Sequence, residues 1–268
     1  MQNELLKRVR LLRPIDDILF EVLIEDKALC EELLRIVLED AQLLVKEVIP
    51  QKSERNLFGR SVRLDALCVL GDGRKCNIEV QRSDDDDHLR RARYNASVVT
   101  ARCSEPGIHF RDIPTVIVVY ISEWDIFGGG RTVYHIDSVI REMGKEADDG
   151  FARVFVNTAV DDGTDIAEYM RCMKQQMVDN PRFLQLTRRM HEVKDMEGGL
   201  TTMSKLSEEL IAEGMARGFA KGREEGREVA FFMLVSEGDI SLELGAKRLG
   251  RTPEEFRKAM QEKGYTLP

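Results

Sequence analysis

The spacing of apolar positions changes character several times along this chain, and each change marks a different element. Between residues 15 and 40, IDDILFEVLIEDKALCEELLRIVLED sets Phe20, Leu23, Leu33, Leu34, Val37 and Leu38 at helical spacing, which predicts one or two amphipathic helices. LLVKEVI at 43–49 predicts a short strand ending at Pro50, followed by a polar loop, QKSERNLFGRS. Residues 64–81, LDALCVLGDGRKCNIEVQ, form two short apolar runs around a glycine turn, the pattern of a β-hairpin. Ser83 then reads as the N-cap of a helix with Asp84 to Asp87 in its first turn, where carboxylates favour the helix dipole; it runs to about Cys103. TVIVVYIS at 115–122 is almost wholly apolar and β-branched, as in a central strand covered on both faces. TVYHID and FARVFVNTA predict outer strands, and from about residue 162 the period is helical to the end.

The hairpin carries acids where strands normally avoid them. Its register decides what they can do. A two-residue turn at Asp72-Gly73 would mix apolar and polar groups on each face. A three-residue loop, Gly71-Asp72-Gly73, pairs residues whose numbers sum to about 144, placing Leu64, Ala66, Cys68, Cys76, Ile78 and Val80 on one apolar side. Asp65 then faces Glu79, and Arg63 faces Gln81, on the other side. Opposed side chains have Cβ atoms about 5 Å apart. Two carboxylates that close repel, so one takes a proton unless a cation lies between them. A divalent ion with oxygen ligands, Mg²⁺ first among them, resolves the conflict and can polarise a phosphodiester. Solvated acids, or acids paired with Arg63 or another base, are the alternative that spacing leaves open.

Composition narrows the classes. The chain has 268 residues and a formal net charge of −8, so any contact with DNA has to come from local basic patches. Five scattered cysteines without a CxxC pair and four scattered histidines argue against a disulfide framework and a zinc site. No apolar run approaches the ~18 residues that cross a bilayer, and MQNELLKRVRLLRP lacks a secretory pattern. A cytoplasmic protein without membrane attachment is the expectation.

Asp65, the hairpin and Glu79-Val80-Gln81 resemble the PD-(D/E)xK nuclease motif, and RLDALCVLGDGRKCNIEVQ is similar to the Rpn group of recombination-promoting, transposase-like nucleases, where glutamine usually replaces the motif's final lysine. The resemblance extends to Asp17 and Phe20 in IDDILF, to RRARYNAS after the hairpin and to the strand after Pro114. It implies an α/β, restriction-endonuclease-like core, a mixed central sheet flanked by helices, over residues 1–160, with an all-helical region over 161–268. It further implies Mg²⁺-dependent hydrolysis of DNA phosphodiesters, with Mn²⁺ able to substitute. Asp65 and Glu79 would hold the metal and Gln81 would complete the catalytic set. Gln81 can orient water or phosphate but supplies no charge. Asp17 is either a third carboxylate for the metal or a helix-capping acid near Pro14. Arg63, Arg91 and Arg93 are the DNA-binding candidates; Arg90 and Arg91 also stand at helical spacing from Asp84 to Asp87, so ion pairs compete. The alternative is a weak or inactive nuclease-fold module that binds DNA or a protein.

In the helical region, Gly214, Gly218, Gly222 and Gly226 recur every fourth residue within a helix expected over 208–229, a stripe on which a second helix can approach, and so a route to a homo-oligomer. A charged linker helix has the same pattern. Residues 230–266 read as a small helical module with a helix-turn-helix-like part, whose recognition helix from Thr252-Pro253 is acidic at Glu254 and Glu255 and so poorly suited to a DNA groove, which favours a packing or assembly module.

Overall fold

The computed structural model describes residues 7, 10–54, 62–82, 87–104, 106–195, 215, 222–223 and 225–267, with the side chains of 50–54 and 62–63 left aside. The Arg63 side chain, residues Ser83 to Asp86 and most of the glycine-punctuated 208–229 stretch lie outside the described set. Two compact units divide the chain, residues 1–206 and 207–268.

The first unit is mixed α/β. Its helices begin with α1 (Asp17–Ile24) and α2 (Lys27–Val37), separated where the Asp26 carboxylate caps the Leu29 N–H. Strands β1 (Val45–Glu54), β2 (Val62–Leu70) and β3 (Lys75–Gln81) form an antiparallel meander. Helix α3 (His88–Cys103) then crosses to β4 (Val116–Ser122), which lies parallel to β3. Next come β5 (Val133–Ile136), a small β6–β7 ladder (Val139–Ile140 with Lys145–Glu146) and β8 (Phe151–Asn157). The six-stranded order is β1-β2-β3-β4-β8-β5, with β8 parallel to β4 and β5 antiparallel on the outside. FARVFVN is therefore an inner strand, not an outer one. Its buried side chains, Val154, Phe155 and Val156, cover both faces, so the run needs neighbours on each side.

Helices α1, α2, α4 (Asp165–Met173) and α5 (Leu184–Asp195) pack on one face of the sheet. There Leu19, Leu23, Leu34, Tyr169, Met170, Leu186 and Met190 meet Ala66, Cys68, Cys76, Ile78, Val119 and Ile121. On the other face α3 lays Ala92, Ala96 and Val99 over Leu64, Leu67, Val118, Tyr120 and Phe155. The domain boundary expected near 160 thus moves to about 206, because α4 and α5 supply half of one core layer. Two further corrections concern ends. β1 continues through Pro50 to Glu54, since an edge strand has one unpaired side where a missing N–H costs nothing. Helix α3 starts at His88, capped by Asp87, whose carboxylate accepts the Arg90 N–H.

The second unit has its own core of Phe232, Val235, Ala246, Phe256 and Met260, from helical residues 225–236, Leu242–Leu249 and Pro253–Glu262. Gly250 turns left-handed between the last two helices, and Thr252 with Glu255 forms a capping box. A Cβ on Gly245 would stand 2.9 Å from Val235 Cγ2 and 3.0 Å from the Phe256 ring, so this crossing requires glycine. Two helices joined by a short turn stand where the sequence suggests a helix-turn-helix-like unit, with Glu255 committed to the cap.

A fragment of residues 1–206 is expected to unfold in one cooperative urea transition, and a fragment ending at 160 to show none. Circular dichroism of both checks this; a cooperative 1–160 fragment would restore the earlier boundary.

Candidate active site

The hairpin pairs Ala66 with Ile78, Leu67 with Asn77, Cys68 with Cys76 and Val69 with Lys75, the sum-of-144 register. The ladder stops at Ala66 and Ile78. Beyond it the Asp65 carboxylate, not a backbone carbonyl, accepts the Val80 N–H at 2.8 Å, and the strands part. Leu64 leaves the face of Ala66 and Cys68 and joins the cluster under α3. The expected pairing of Leu64 with Val80 on one apolar side is therefore corrected. The separation follows from a charged side chain entering the ladder where a carbonyl would normally pair.

Residues 76, 78 and 80 of β3 face the larger core, which turns Asn77, Glu79 and Gln81 toward α3. Glu79 is only 1% exposed and Asn77 is fully buried. The Asn77 Nδ2 donates to Glu79 Oε1 at 2.9 Å. Glu79 Oε2 and Asn77 Oδ1 have no hydrogen-bond donor among the described residues. Within the same set the cation that approaches is Arg91 of α3, 3.7 Å from Glu79 Oε2, and its Nη1 donates to Gln81 Oε1 at 2.6 Å. Arg91 thus points inward, while Arg90 pairs with Asp87 at 3.3 Å and Arg93 is exposed. Burial, and then the Asp65 charge, push the Glu79 carboxyl up to about 8, against the opposing pull of Asn77, Arg91 and the Asp65 backbone N–H. Asp65 is therefore close enough to act on Glu79 although the two are not a ladder pair.

The site lies at the carboxyl ends of the parallel strands β3 and β4, where open α/β sheets offer a crevice. Four charged residues frame it. Asp16 holds Arg13 and Arg82 at 2.9 Å each, and Glu123 holds Arg13 at 2.8 Å and Arg82 at 3.4 Å. This network ties the start of α1 to the residues just after β3 and β4. Buried Lys194 anchors the same segment from below, donating to the carbonyls of Arg10, Leu12 and Gln176, and burial lowers its ammonium to about 8. Asp17 follows at the open side. The surrounding protein raises its carboxyl above the ordinary range, and Arg82 and Arg91 pull it back. Asp17 therefore approaches the site. Among the described residues, however, no three histidine, cysteine or acidic side chains form a metal-binding group, so it does not close a cluster with Asp65 and Glu79.

Three further residues complete the layer under α3. Tyr120 pairs with Glu79 across the parallel ladder, and its hydroxyl shares a 2.9 Å hydrogen bond with His88 Nδ1. The His88 ring packs against Trp124, centroids 5.5 Å apart. Asn77 was legible in the sequence as the polar residue two before Glu79 on the same strand face, and His88 as the residue one helical turn before Arg91. The contact between Tyr120 and His88 needs the crossover, which sequence spacing does not show.

No family model, curated protein or solved structure matches this chain. Its function has to be argued from the site. Two buried acceptors without donors, a second carboxylate and a flanking guanidinium suit a proton or a hard cation. Asp65 and Glu79 offer oxygen donors only, a chemistry that would suit Mg²⁺ or Mn²⁺ rather than a softer ion.

Glu79 predicts a pH dependence of stability. Its ordinary value is 4.5 and its folded value about 8, so between them the folded chain holds more protons than the unfolded one. Stability contributed by this group is full below about 4.5 and is lost as pH rises toward 8. Glu79→Gln removes that loss. Without metal, its unfolding free energy should exceed the parent's by a margin that grows from pH 5 to pH 8, on the order of a few kcal/mol at the upper end, with the melting point rising in step. A constant margin, measured by scanning fluorimetry, would contradict the assignment.

Proposed function

We propose that the chain is a metal-dependent DNA endonuclease with a restriction-endonuclease-like core, of the kind the PD-(D/E)xK and Rpn resemblance implies. The observation that carries the reading is the Glu79 carboxylate, enclosed with one oxygen that has no hydrogen-bond donor among the described residues, beside Asp65 and under Arg91. A buried acid is retained at such cost where charge is needed for chemistry. The mixed sheet with helices on both faces supports the same reading.

Asp65 and Glu79 would hold the ion. Mg²⁺ bound there supplies neutralising charge and Lewis acidity toward a phosphodiester. Asn77 fixes one Glu79 oxygen and leaves the other, buried on the Arg91 side, to meet an ion. Arg91 supplies the fixed positive charge that a lysine at position 81 would otherwise bring, suited to a phosphate oxygen and to the charge that grows on it during in-line displacement. Gln81 contributes no charge; its carbonyl oxygen holds the guanidinium in place. The absent lysine is thus compensated from the neighbouring helix.

Nicking of supercoiled plasmid with Mg²⁺ or Mn²⁺ tests this. Asp65→Ala and Glu79→Gln are expected to abolish cutting. Arg91→Ala should reduce it by roughly 10²–10³-fold, the cost of removing one donor to a developing anion. Gln81→Ala, which only frees the arginine, should cost about tenfold. Plasmid left intact with both metals, or an Asp65→Ala protein that cuts normally, defeats the proposal and leaves a non-cutting binding module.

A further inference from the structure

The six-stranded sheet ends in two outer strands, and the sequence treats them differently. β1, VKEVIPQKSE, carries Lys46, Glu47, Pro50, Lys52 and Glu54, with a register shift between Val45 and Glu47. Charges, a proline and a bulge are the devices that keep an edge from pairing with another strand. β5, VYHI, has no lysine, acid or proline, and its ladder with β8 runs without a shift. Val133, Tyr134 and Ile136 are strong strand formers. The Asn157 N–H donates to the Thr132 carbonyl at 2.9 Å, in the register that pairs Val133 with Val156 and Ile136 with Arg153. Backbone groups alternate between the two sides of an antiparallel strand. Tyr134 and Ile136 therefore give theirs to β8, and Val133 and His135 turn theirs outward. Among the described residues those outward N–H and carbonyl groups meet no partner. His135 is exposed, and so are Arg131 and Asp137 on either side of the strand. Neither Arg131 nor Asp137 has an ion-pair partner among the described residues.

An open edge of this kind is completed by another strand, and the residue order says which one. Laid antiparallel against itself about Tyr134, the segment sets Val133 of one copy opposite His135 of the other, so the outward groups meet each other. The same register sets Arg131 opposite Asp137 at both ends. A slip of one residue would bring outward groups against inward ones, and a slip of two would separate Arg131 from Asp137. We infer that β5 is the contact through which two copies of this chain join, edge to edge, in a self-complementary antiparallel seam. Backbone hydrogen bonds run both ways between Val133 and His135, and an Arg131–Asp137 pair closes each end. The two-fold axis reverses the strands of the second copy. The sites at the carboxyl ends of β3 and β4 therefore open in opposite directions, and each stays complete within its own chain. The contact belongs to the first unit rather than to the glycine-punctuated helix, and it does not rest on the endonuclease reading.

Sedimentation velocity of the full chain at low salt, over a wide range of concentrations, reads the association. The parent should form a dimer. Arg131→Asp and Asp137→Arg each bring like charges together at both ends of the seam, and each should raise the dimer dissociation constant at least about tenfold. An equimolar mixture of the two variants restores opposite charges at both ends of a mixed dimer and should associate as the parent does. A variant that had lost its fold could not give that rescue, so the mixture separates repulsion from misfolding. His135→Pro removes an outward N–H at an edge position, where proline is tolerated, and should weaken the dimer about tenfold. A parent that stays monomeric throughout overturns the proposal. Association that the single reversals leave unchanged overturns it too and puts the contact elsewhere in the chain. A mixture that associates no better than either variant alone rules out the self-paired register.

Discussion

Glu79 brings a carboxyl group into the layer between β3 and α3, where the sheet and the helix exclude water. One oxygen is held by Asn77; the other meets no donor among the described residues, and Asp65 stands near enough to repel it. Such a group is tolerated in three ways: it keeps a proton, it draws a cation, or its surroundings are rebuilt. The structure stops short of the third way. Arg91 comes within 3.7 Å of the free oxygen but gives its hydrogen bond to Gln81. Among the described residues Arg91 is the cation that reaches this carboxyl, and at 3.7 Å it leaves the group's charge only partly compensated.

The rest of the unit holds this arrangement in place. Asp65 takes the Val80 N–H and so parts β2 from β3 beyond the end of the ladder. Helix α3 changes character along its inward face, with His88 and Arg91 over the site and Ala92, Ala96 and Val99 over the apolar sheet. The helix is therefore anchored by packing at one end and free to present polar groups at the other. At the rim, Asp16, Arg13, Arg82 and Glu123 pair among themselves, so the charges nearest the cleft cancel and Arg91 keeps its influence over Glu79.

Much of this was legible from residue order. The alternation of Cys68, Ala66, Cys76 and Ile78 was enough to select the hairpin register, because a slip by one would have exposed a core face. The uninterrupted apolar run at 115–122 marked the central strand. Local pattern failed where the deciding force was not local. The flip of Leu64 comes from one side-chain-to-backbone bond at Asp65. The membership of α4 and α5 in the larger unit comes from residues more than a hundred positions away, such as Glu32 accepting the N–H groups of Gln185 and Leu186. The choice of Arg91 over Arg90 as the inward arginine was settled by helix phase, once the helix start moved from Ser83 to His88.

The proton on Glu79 is the most direct measure of the account. Carbon-detected NMR of the glutamate carboxyl resonances, assigned with Glu79→Gln, would follow this group alone. Without metal it should titrate near pH 8, and with saturating Mg²⁺ its proton should be displaced so that the titration moves several units down. A Glu79 carboxyl that titrates near 4.5, with or without Mg²⁺, would contradict the account, because the buried acid would then be neither strained nor in want of a cation.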